Sequence, residues 1–223
     1  DLDWPAYLSP KLKNPPWFLH AARLVSMAGY RVLLHGHYGQ GGEAGKLELA
    51  AEMAGIPLCA SMDEAKAALV ASSIAYLPIG GASVQIQRLF GLYSLLEMRL
   101  PLNTVVHLLN PLGAASSLLG VATPSRRDMM RDTASLLGVQ NLSILGSNRD
   151  FAEFTPFRTT TLFRLVDGEP RDTRVIARRS VVGMPPPAAY TSREYWQAVW
   201  SGAARDDAAE AIVVDTAAAA LLT

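Results

Sequence analysis

The sequence lacks several features that define large classes of proteins. Its 223 residues include one cysteine, so neither an internal disulfide nor a cysteine-based metal site can form. Lysine and arginine total 20, aspartate and glutamate also total 20, and the formal net charge is therefore zero. This balance excludes a strongly basic nucleic-acid coat as a property of the whole chain, but it does not exclude a local basic patch.

Long apolar runs are also missing. No stretch approaches the roughly 18 uninterrupted apolar residues of a membrane helix, and the first residues do not have the pattern of a signal peptide. With Cys59 as the one cysteine, these absences predict a reducing, cytoplasmic compartment. The chain opens on Asp1 and closes on a helix-forming alanine run, so we expect it to be a piece of a longer protein.

What the sequence does contain is enough apolar material for a sizeable core. Half of the residues are hydrophobic, 18% are charged and the mean hydropathy is +0.16. This composition excludes a disordered chain, because burial can offset the entropy of ordering. The length fits one large domain or one domain and part of another.

Hydrophobic periodicity predicts helices that alternate with short strands, which is typical of an α/β domain with a largely parallel sheet. Strands are expected at 31–34, 56–60, 74–77, 142–145 and 160–166, with 174–178 as the return strand of a hairpin. Helices are expected at 17–28, 44–54, 61–70, 83–98, 103–109, 124–137, 192–199 and from 206 onward. We divide the chain into an α/β domain (1–184), a proline-rich linker (185–190) and a C-terminal helical segment (191–223).

A glycine-rich segment follows the strand at 31–34. Gly39 to Ala44 fits a loose Gly-x-Gly-x-x-Ala pattern, and Asp63 lies about where a ribose-binding acid would follow, so one interpretation is a dinucleotide site. The other is a mobile loop at the carboxyl edge of the sheet. His35 and His37 flank one glycine and can bind a metal or supply a general base, although no third ligand is spaced nearby.

Charged side chains offer two further candidates. Asp150 and Glu153 follow the strand at 142–145 and can hold Mg²⁺ beside a phosphate, or they are solvated carboxylates. The mixed charges from Arg126 to Asp132 fit a solvated helix face with internal ion pairs.

Several segments resemble one known family. They are Leu34-His35-Gly36, the helix from Ala50 to Ile56, the segment from Thr104 to Gly113, and the segment from Ser117 to Val121. These residues are similar to the anthranilate phosphoribosyltransferase family (glycosyltransferase family 3), and most of all to its YbiB-like branch of nucleic-acid-binding homologues. The resemblance runs from Trp4 to Val166.

The resemblance implies a fold and a partner. The fold is a mostly parallel central sheet flanked by helices, of the phosphoribosyltransferase class IV and nucleoside phosphorylase II-like type. The family's N-terminal helical domain, which forms a homodimer, would be mostly missing here.

Carried over position by position, the family's substrate motifs are largely absent. The Gly-Thr-Gly-Gly-Asp loop that cradles pyrophosphate falls on Ala6 to Pro10, where no glycine remains to let backbone amides approach it. The Asn-Ile-Ser-Thr segment falls on Pro16 to Leu19, which has no equivalent donors. The Lys-His-Gly-Asn-Arg motif becomes Leu34 to Tyr38, which keeps the His-Gly pair and loses both cations.

Three other family features are altered. Gly39 to Gly42 stand in place of the serine-rich loop, Gly80 to Ala82 replace the acceptor-side histidine, and the adjacent acidic pair that holds magnesium is reduced to the separated Asp150 and Glu153. Together these departures remove the electrostatic stabilisation that phosphoribosyl transfer needs.

The sequence therefore favours a catalytically degenerate transferase fold that binds nucleic acid without sequence specificity. Lys11 and Lys13 now lie in the former phosphate loop, near the aromatic Tyr7 and Trp17. The alternative is that Trp17 and Phe18 belong to the core, which we favour for Trp17, and that the lysines form a solvated edge. The candidate binding residues are Lys11, Lys13, His35, Gly36, His37, Tyr38, Gly41 and Arg99.

Two alternatives remain. The first is an active phosphoribosyl or glycosyl transferase that uses Mg²⁺ and a sugar phosphate donor, and only in that case is a cofactor expected. The second is pure scaffolding through a homodimer.

Overall fold

The fold is built around a mixed sheet of eight strands. A computed structural model describes residues 1–7, 15–37, 46–96, 100–146, 151–177 and 192–223. In these ranges the strands are β1 (Leu2–Pro5), β2 (Val32–Gly36), β3 (Ile74–Pro78), β4 (Ser116–Val121), β5 (Asn141–Gly146), β6 (Thr160–Val166), β7 (Glu169–Pro170) and β8 (Thr173–Val175).

Strand order places β1 and β4 at the centre. The order is β3-β2-β1-β4-β5-β6-β7, and β8 also pairs with β6. The first five strands pair in parallel, and β6 runs antiparallel to β5, β7 and β8. The chain builds outward from β1 to one edge and then from β4 to the other, so the direction of winding reverses between these two strands.

Helices cover both faces of the sheet. They are α1 (Trp17–Met27), α2 (Lys46–Met53), α3 (Met62–Ser72), α4 (Ile79–Ala82), α5 (Val84–Gly91), α6 (Tyr93–Leu96), α7 (Leu102–Val105), a 3-10 turn (Val106–Leu108), α8 (Pro124–Leu136), α9 (Ser192–Ser201) and α10 (Asp207–Leu221). No helix in these ranges is long and apolar enough to cross a membrane.

Alternating side chains of the strands build the two faces. Trp4, Leu34 and Tyr76 belong to a large core cluster with residues of α1, α2 and α10. On the opposite face, Leu33 packs in a cluster with α3 and Leu119 in one with α8. The sheet is therefore buried on both sides, as parallel sheets are.

The C-terminal helices pack into the same core as the α/β body. Trp196 of α9 and Val213 and Ala217 of α10 belong to the cluster that contains β1 and α1. The linker at 185–190 lies outside the described residues, so the domain boundaries stay a prediction.

The predicted class, a mostly parallel sheet flanked by helices, is confirmed. The hairpin is confirmed as well, with Thr161 opposite Arg174. The Ser-x-x-Glu signal at Ser61 also marks a real helix start, because the Ser61 hydroxyl accepts a hydrogen bond from the Glu64 N–H (3.2 Å).

Other expectations about secondary structure are wrong. Residues 56–60 form only an isolated bridge between Leu58 and Tyr76. The single helix expected at 83–98 is two short helices, α5 and α6, separated at Leu92. Strands β1 and β4 were not anticipated: β1 has four residues and ends in proline, and β4 carries Ser117 and Gly120 among its apolar residues.

Gly120 in β4 is required by a close approach of backbone. A Cβ at this position would overlap the carbonyl group of Phe151 and lie 2.5 Å from the Ala152 nitrogen. Residues 151–152 therefore cross directly over the carboxyl end of β4, and this crossing brings Glu153 to the start of α1.

A buried imidazole joins α1 to α9. The ring of His20 stacks between Trp196 (4.0 Å between centroids, 16° between planes) and Trp200 (4.6 Å, 11°). Its Nε2 lies 3.3 Å from the carbonyl oxygen of Trp196. Burial lowers the pKa of His20 to about 4; the contact with Trp196 opposes this shift and the charge of Arg23 adds to it.

Stability should fall on mild acidification because of His20. An unfolded imidazole with an ordinary pKa of about 6.5 binds a proton that the folded chain rejects, so stability is lost as the pH drops from about 6.5 towards 4, by up to about 3 kcal/mol. Urea unfolding followed by tryptophan fluorescence at neutral and acid pH measures this loss. The His20→Phe variant keeps a ring between the tryptophans and should show a loss smaller by that amount; equal losses in both proteins would contradict the assignment.

Candidate functional site

The topology marks one crevice as the place for a ligand. In open α/β sheets, ligands bind outside the carboxyl ends of the strands where the winding direction reverses. Here that point lies between β1 and β4. Ala6 and Tyr7 leave β1 at this edge, and Ala122 and Thr123 leave β4 beside them.

A buried polar chain closes the β1 side of the crevice. His35 and Asp3 are both 0% exposed, and Nε2 of His35 lies 3.3 Å from Oδ2 of Asp3. The hydroxyl of Tyr7 lies 3.1 Å from Nδ1 of His35. An ionised carboxylate can only accept, so we assign the imidazole proton to Nε2, and the Tyr7 hydroxyl then donates to Nδ1.

Tyr7 fills the space directly after β1. Its ring packs against Phe90 (5.8 Å) and His107 (5.1 Å), and its side chain is 5% exposed. Burial, reinforced by the charge of Asp3, raises the pKa of the Tyr7 hydroxyl far above its ordinary value. The phenol is therefore a neutral, fixed part of the core at the position where the resemblance puts the pyrophosphate loop.

Gly36 has a packing reason that needs no ligand. A Cβ there would overlap the carbonyl oxygen of Ala6 and lie 2.8 Å from the hydroxyl of Tyr76. The glycine of the His-Gly pair is thus explained by the close contact between the carboxyl ends of β1 and β2.

His37 lies on the same aromatic cluster. Its ring stacks on Phe90 at 4.5 Å with 16° between the planes, and its two buried ring nitrogens have no hydrogen-bond partner within the described residues. Burial lowers the pKa of His37, so the imidazole is neutral at neutral pH. Of the two histidines predicted to act together, His35 is held by Asp3 and Tyr7, and His37 stacks behind Phe90.

Glu153 provides a hydrogen-bond acceptor for the start of α1. Its Oε2 accepts a hydrogen bond from the backbone N–H of Phe18 (3.1 Å), and the residue is 6% exposed. Pro16, at the N-cap position, makes no side-chain cap, so the carboxylate satisfies an amide at the positive end of the helix. The resemblance would place phosphate donors on this same stretch of chain.

The magnesium assignment to Asp150 and Glu153 stays a prediction. Asp150 lies outside the described residues, and no group of three or more histidine, cysteine or acidic residues able to hold a metal occurs in the described part of the chain. Within that part, Glu153 has a structural role as the cap of α1.

The other predicted binding residues fall where the structure gives no description. These are Lys11, Lys13, Tyr38, Gly41 and Arg99, together with the rest of the glycine-rich loop. They stay predictions, and His35, Gly36 and His37 are the predicted binding residues that the structure brings together.

An open cavity of about 390 Å³ occupies the β4 side of the crevice. Its wall includes Asn103 and Thr104 of α7, His107, and Arg126 near the start of α8, and Met130 contributes an apolar surface. None of the described residues that line it carries a carboxylate. Arg126 is exposed at the rim, so the cavity suits a ligand with an apolar body and one negative charge.

Sequence reasoning did not single out Asn103 as a site residue and treated Arg126 as part of a solvated helix face. Pro124 is a signal that could have identified Arg126. Proline is favoured at the first position of a helix, and a helix that begins soon after a strand begins at the carboxyl edge of the sheet. Because β4 was not anticipated, that signal could not be placed at the crevice.

The strand order and the crevice between β1 and β4 define the class of this protein, an α/β protein with a mostly parallel sheet that is flanked by helices.

Comparison with known proteins makes the likeness specific. No protein-family model matches the chain. Its sequence is 23% identical over 194 residues to the anthranilate phosphoribosyltransferase of Psychrobacter sp. (strain PRwf-1), an alignment that covers 84% of this chain and 52% of that protein. The crystal structure of anthranilate phosphoribosyltransferase from Thermus thermophilus superposes with a TM-score of 0.74 at 18% identity and covers 99% of this chain and 67% of that one. The chain thus has this enzyme's fold and spans about half the length of the curated relative.

Removing the Tyr7 hydroxyl should destabilise the fold. Tyr7→Phe keeps the ring contacts but leaves Nδ1 of His35 buried without its donor, at a cost of roughly 1–3 kcal/mol in the free energy of unfolding. Tyr30→Phe, at a half-exposed tyrosine (50%) on the surface, is the matched control and should change little. Urea unfolding measures both; a Tyr7→Phe protein as stable as the control would show that the hydroxyl is not held by His35.

Proposed function

We propose that this chain is a phosphoribosyltransferase-fold protein that has lost phosphoribosyl transfer and binds nucleic acid without sequence specificity at the carboxyl edge of its sheet. The observation that carries the proposal is the burial of Tyr7 at the position expected for the pyrophosphate loop, with its hydroxyl 3.1 Å from His35. A side chain fixed in the core cannot move aside for a pyrophosphate at small cost.

The start of α1 supports the same conclusion. The backbone N–H of Phe18 already donates a hydrogen bond to Oε2 of Glu153 (3.1 Å). A pyrophosphate bound there would have to displace the carboxyl of Glu153 from this amide, and the displaced buried group would lose its hydrogen bond. Two elements of the family's donor site are therefore filled by the chain's own groups.

The charge around the remaining cavity favours a polyanion. Arg126 lies at its rim, and no described lining residue opposes it with a carboxylate. Lys11 and Lys13 follow β1 in sequence and would add positive charge there. The resemblance to the YbiB-like branch of nucleic-acid-binding homologues supports the same proposal. Phosphate contacts of this kind need no base recognition and give binding that depends on salt.

A titration of a labelled single-stranded oligonucleotide at several salt concentrations tests the proposal. The wild-type protein should bind at low salt and weaken steeply as salt is added, with a slope of roughly 0.7 per phosphate contact for a single strand. The Arg126→Gln variant and the Lys11→Gln, Lys13→Gln double variant should each bind more weakly with a shallower slope.

The matched control is Arg171→Gln, which removes an exposed arginine from the segment between β7 and β8. It should bind like the wild type. Binding that is undetectable at low salt, or independent of salt, would overturn the proposal.

Homodimerisation, which the resemblance implies, is also part of the proposal. Light scattering of the protein measures its mass in solution and tests for a dimer.

A second candidate is a working phosphoribosyl or glycosyl transferase. The observation that favours it is the open cavity of about 390 Å³ at the switch point of a transferase fold, where such a fold binds its ligands. Mg²⁺ would then be held by Asp150 and Glu153, and Glu153 would have to release the amide of Phe18.

Calorimetry with phosphoribosyl pyrophosphate and magnesium separates the two candidates. The degenerate fold should give no heat of binding at micromolar protein. Tight, magnesium-dependent binding that weakens in Glu153→Gln would instead establish the donor site and favour the transferase.

A further inference from the structure

The cavity between α7 and α8 has the chemistry to hold one nucleotide of a strand. We infer that it takes a single unpaired nucleotide, with the base inside the cavity and a neighbouring phosphodiester on Arg126, so that the protein prefers single strands to duplexes. This inference rests on the proposed function and adds to it the form of nucleic acid that is bound and the side chains that select it.

The first step of the argument is the fixed orientation of Asn103. Its Oδ1 accepts a hydrogen bond from the backbone N–H of Leu100 at 2.9 Å, which determines which end of the amide is the acceptor. The amide NH₂ is then the group left to face a ligand, and it can only donate. Asn103 therefore suits a partner rich in acceptors, such as the carbonyl oxygens and ring nitrogens of a base edge.

The second step is the surface against which a base would lie. Met130 is 3% exposed and contributes to the cavity wall with Val121. Thioether sulfur makes favourable contacts with aromatic rings. Because these apolar side chains are already ordered, a base that packs on them loses little of its binding free energy to their ordering. A cavity of about 390 Å³ also lies within the range of roughly 300–1,000 Å³ usual for small-molecule sites.

The third step is the match of charge. Each nucleotide in a strand carries one phosphodiester charge, and Arg126 is the one arginine or lysine among the described lining residues. A base paired inside a duplex cannot enter a cavity without being unstacked and unpaired, which costs energy. A duplex should therefore bind more weakly than a single strand, because it does not gain the binding free energy of an inserted base.

The test uses the protein with a fluorescent oligothymidine and with a duplex of equal length at one low salt concentration. The wild type should bind the single strand at least about tenfold more tightly, because an inserted base contributes roughly 1–3 kcal/mol. Equal affinity for the two probes would overturn the inference.

Two variants address the cavity directly. Asn103→Asp keeps the acceptor for Leu100 but replaces the donating NH₂ with negative charge, and it should weaken single-strand binding at least about tenfold. Asn141→Asp is the matched control: it makes the same change of charge at the opposite edge of the sheet, where Oδ1 of Asn141 accepts from the Asp167 N–H (3.3 Å).

Thr104→Trp fills the cavity, and Val105→Trp places the same ring on the neighbouring, non-lining residue, which is 61% exposed. Loss of binding in Asn103→Asp and Thr104→Trp, with both controls and all melting temperatures unchanged, supports the inference.

Salt-dependent binding that is equal in all four variants would overturn the cavity assignment and leave the proposed function standing. Absence of binding in the wild type would overturn both.

Discussion

The contact on which the site depends is the buried chain of Asp3, His35 and Tyr7. It links the first two strands of the sheet at the point where a transferase of this fold would need an open, glycine-rich loop. Three polar side chains are buried together here, and the imidazole of His35 joins the other two, so a change at one of them affects its neighbour. Once Tyr7 is held by His35 and covered by Phe90, the β1 side of the crevice is part of the core.

The consequences extend to the opposite side of the crevice. With Tyr7 packed beside β1 and Glu153 bonded to the amide of Phe18, the cavity that described residues line at this edge lies next to β4, between α7 and α8. Its described lining combines apolar side chains such as Met130 with polar ones such as Asn103, and it includes one arginine, Arg126. The cavity thus lies at the ligand position that the topology of the sheet dictates, and under the proposed function it holds a singly charged unit instead of a pyrophosphate.

Much of the fold was readable from the sequence because its signals are local. Periodicity, the Ser61 cap and the Asp167-Gly168 turn each act within a few residues, and they gave α3, the hairpin and the α/β class. Strands β1 and β4 were not readable in this way. Leu2–Pro5 is short, ends in proline and is recognisable as a strand only through its pairing with β2 and β4 on either side.

The site shows the same limit more strongly. Sequence reasoning singled out His35, Gly36 and Tyr7 through the family motif, but it could not show that Tyr7 turns inward. The role of Glu153 as a cap depends on the crossing of residues 151–152 over Gly120, a contact between positions about thirty apart in sequence. Asn103 and Arg126 line one cavity only because α7 and α8 both lie beside the end of β4, and no local sequence pattern shows this.

The central claim is that nucleic acid binds at the carboxyl edge of the sheet, between α7 and α8. The most direct measurement is photo-crosslinking of an oligonucleotide that carries 4-thiothymidine, followed by mass spectrometry of the attached peptides. We predict crosslinks within 100–107 and 120–130. Crosslinks confined to the opposite edge of the sheet, around Val70 and Leu112, would contradict it.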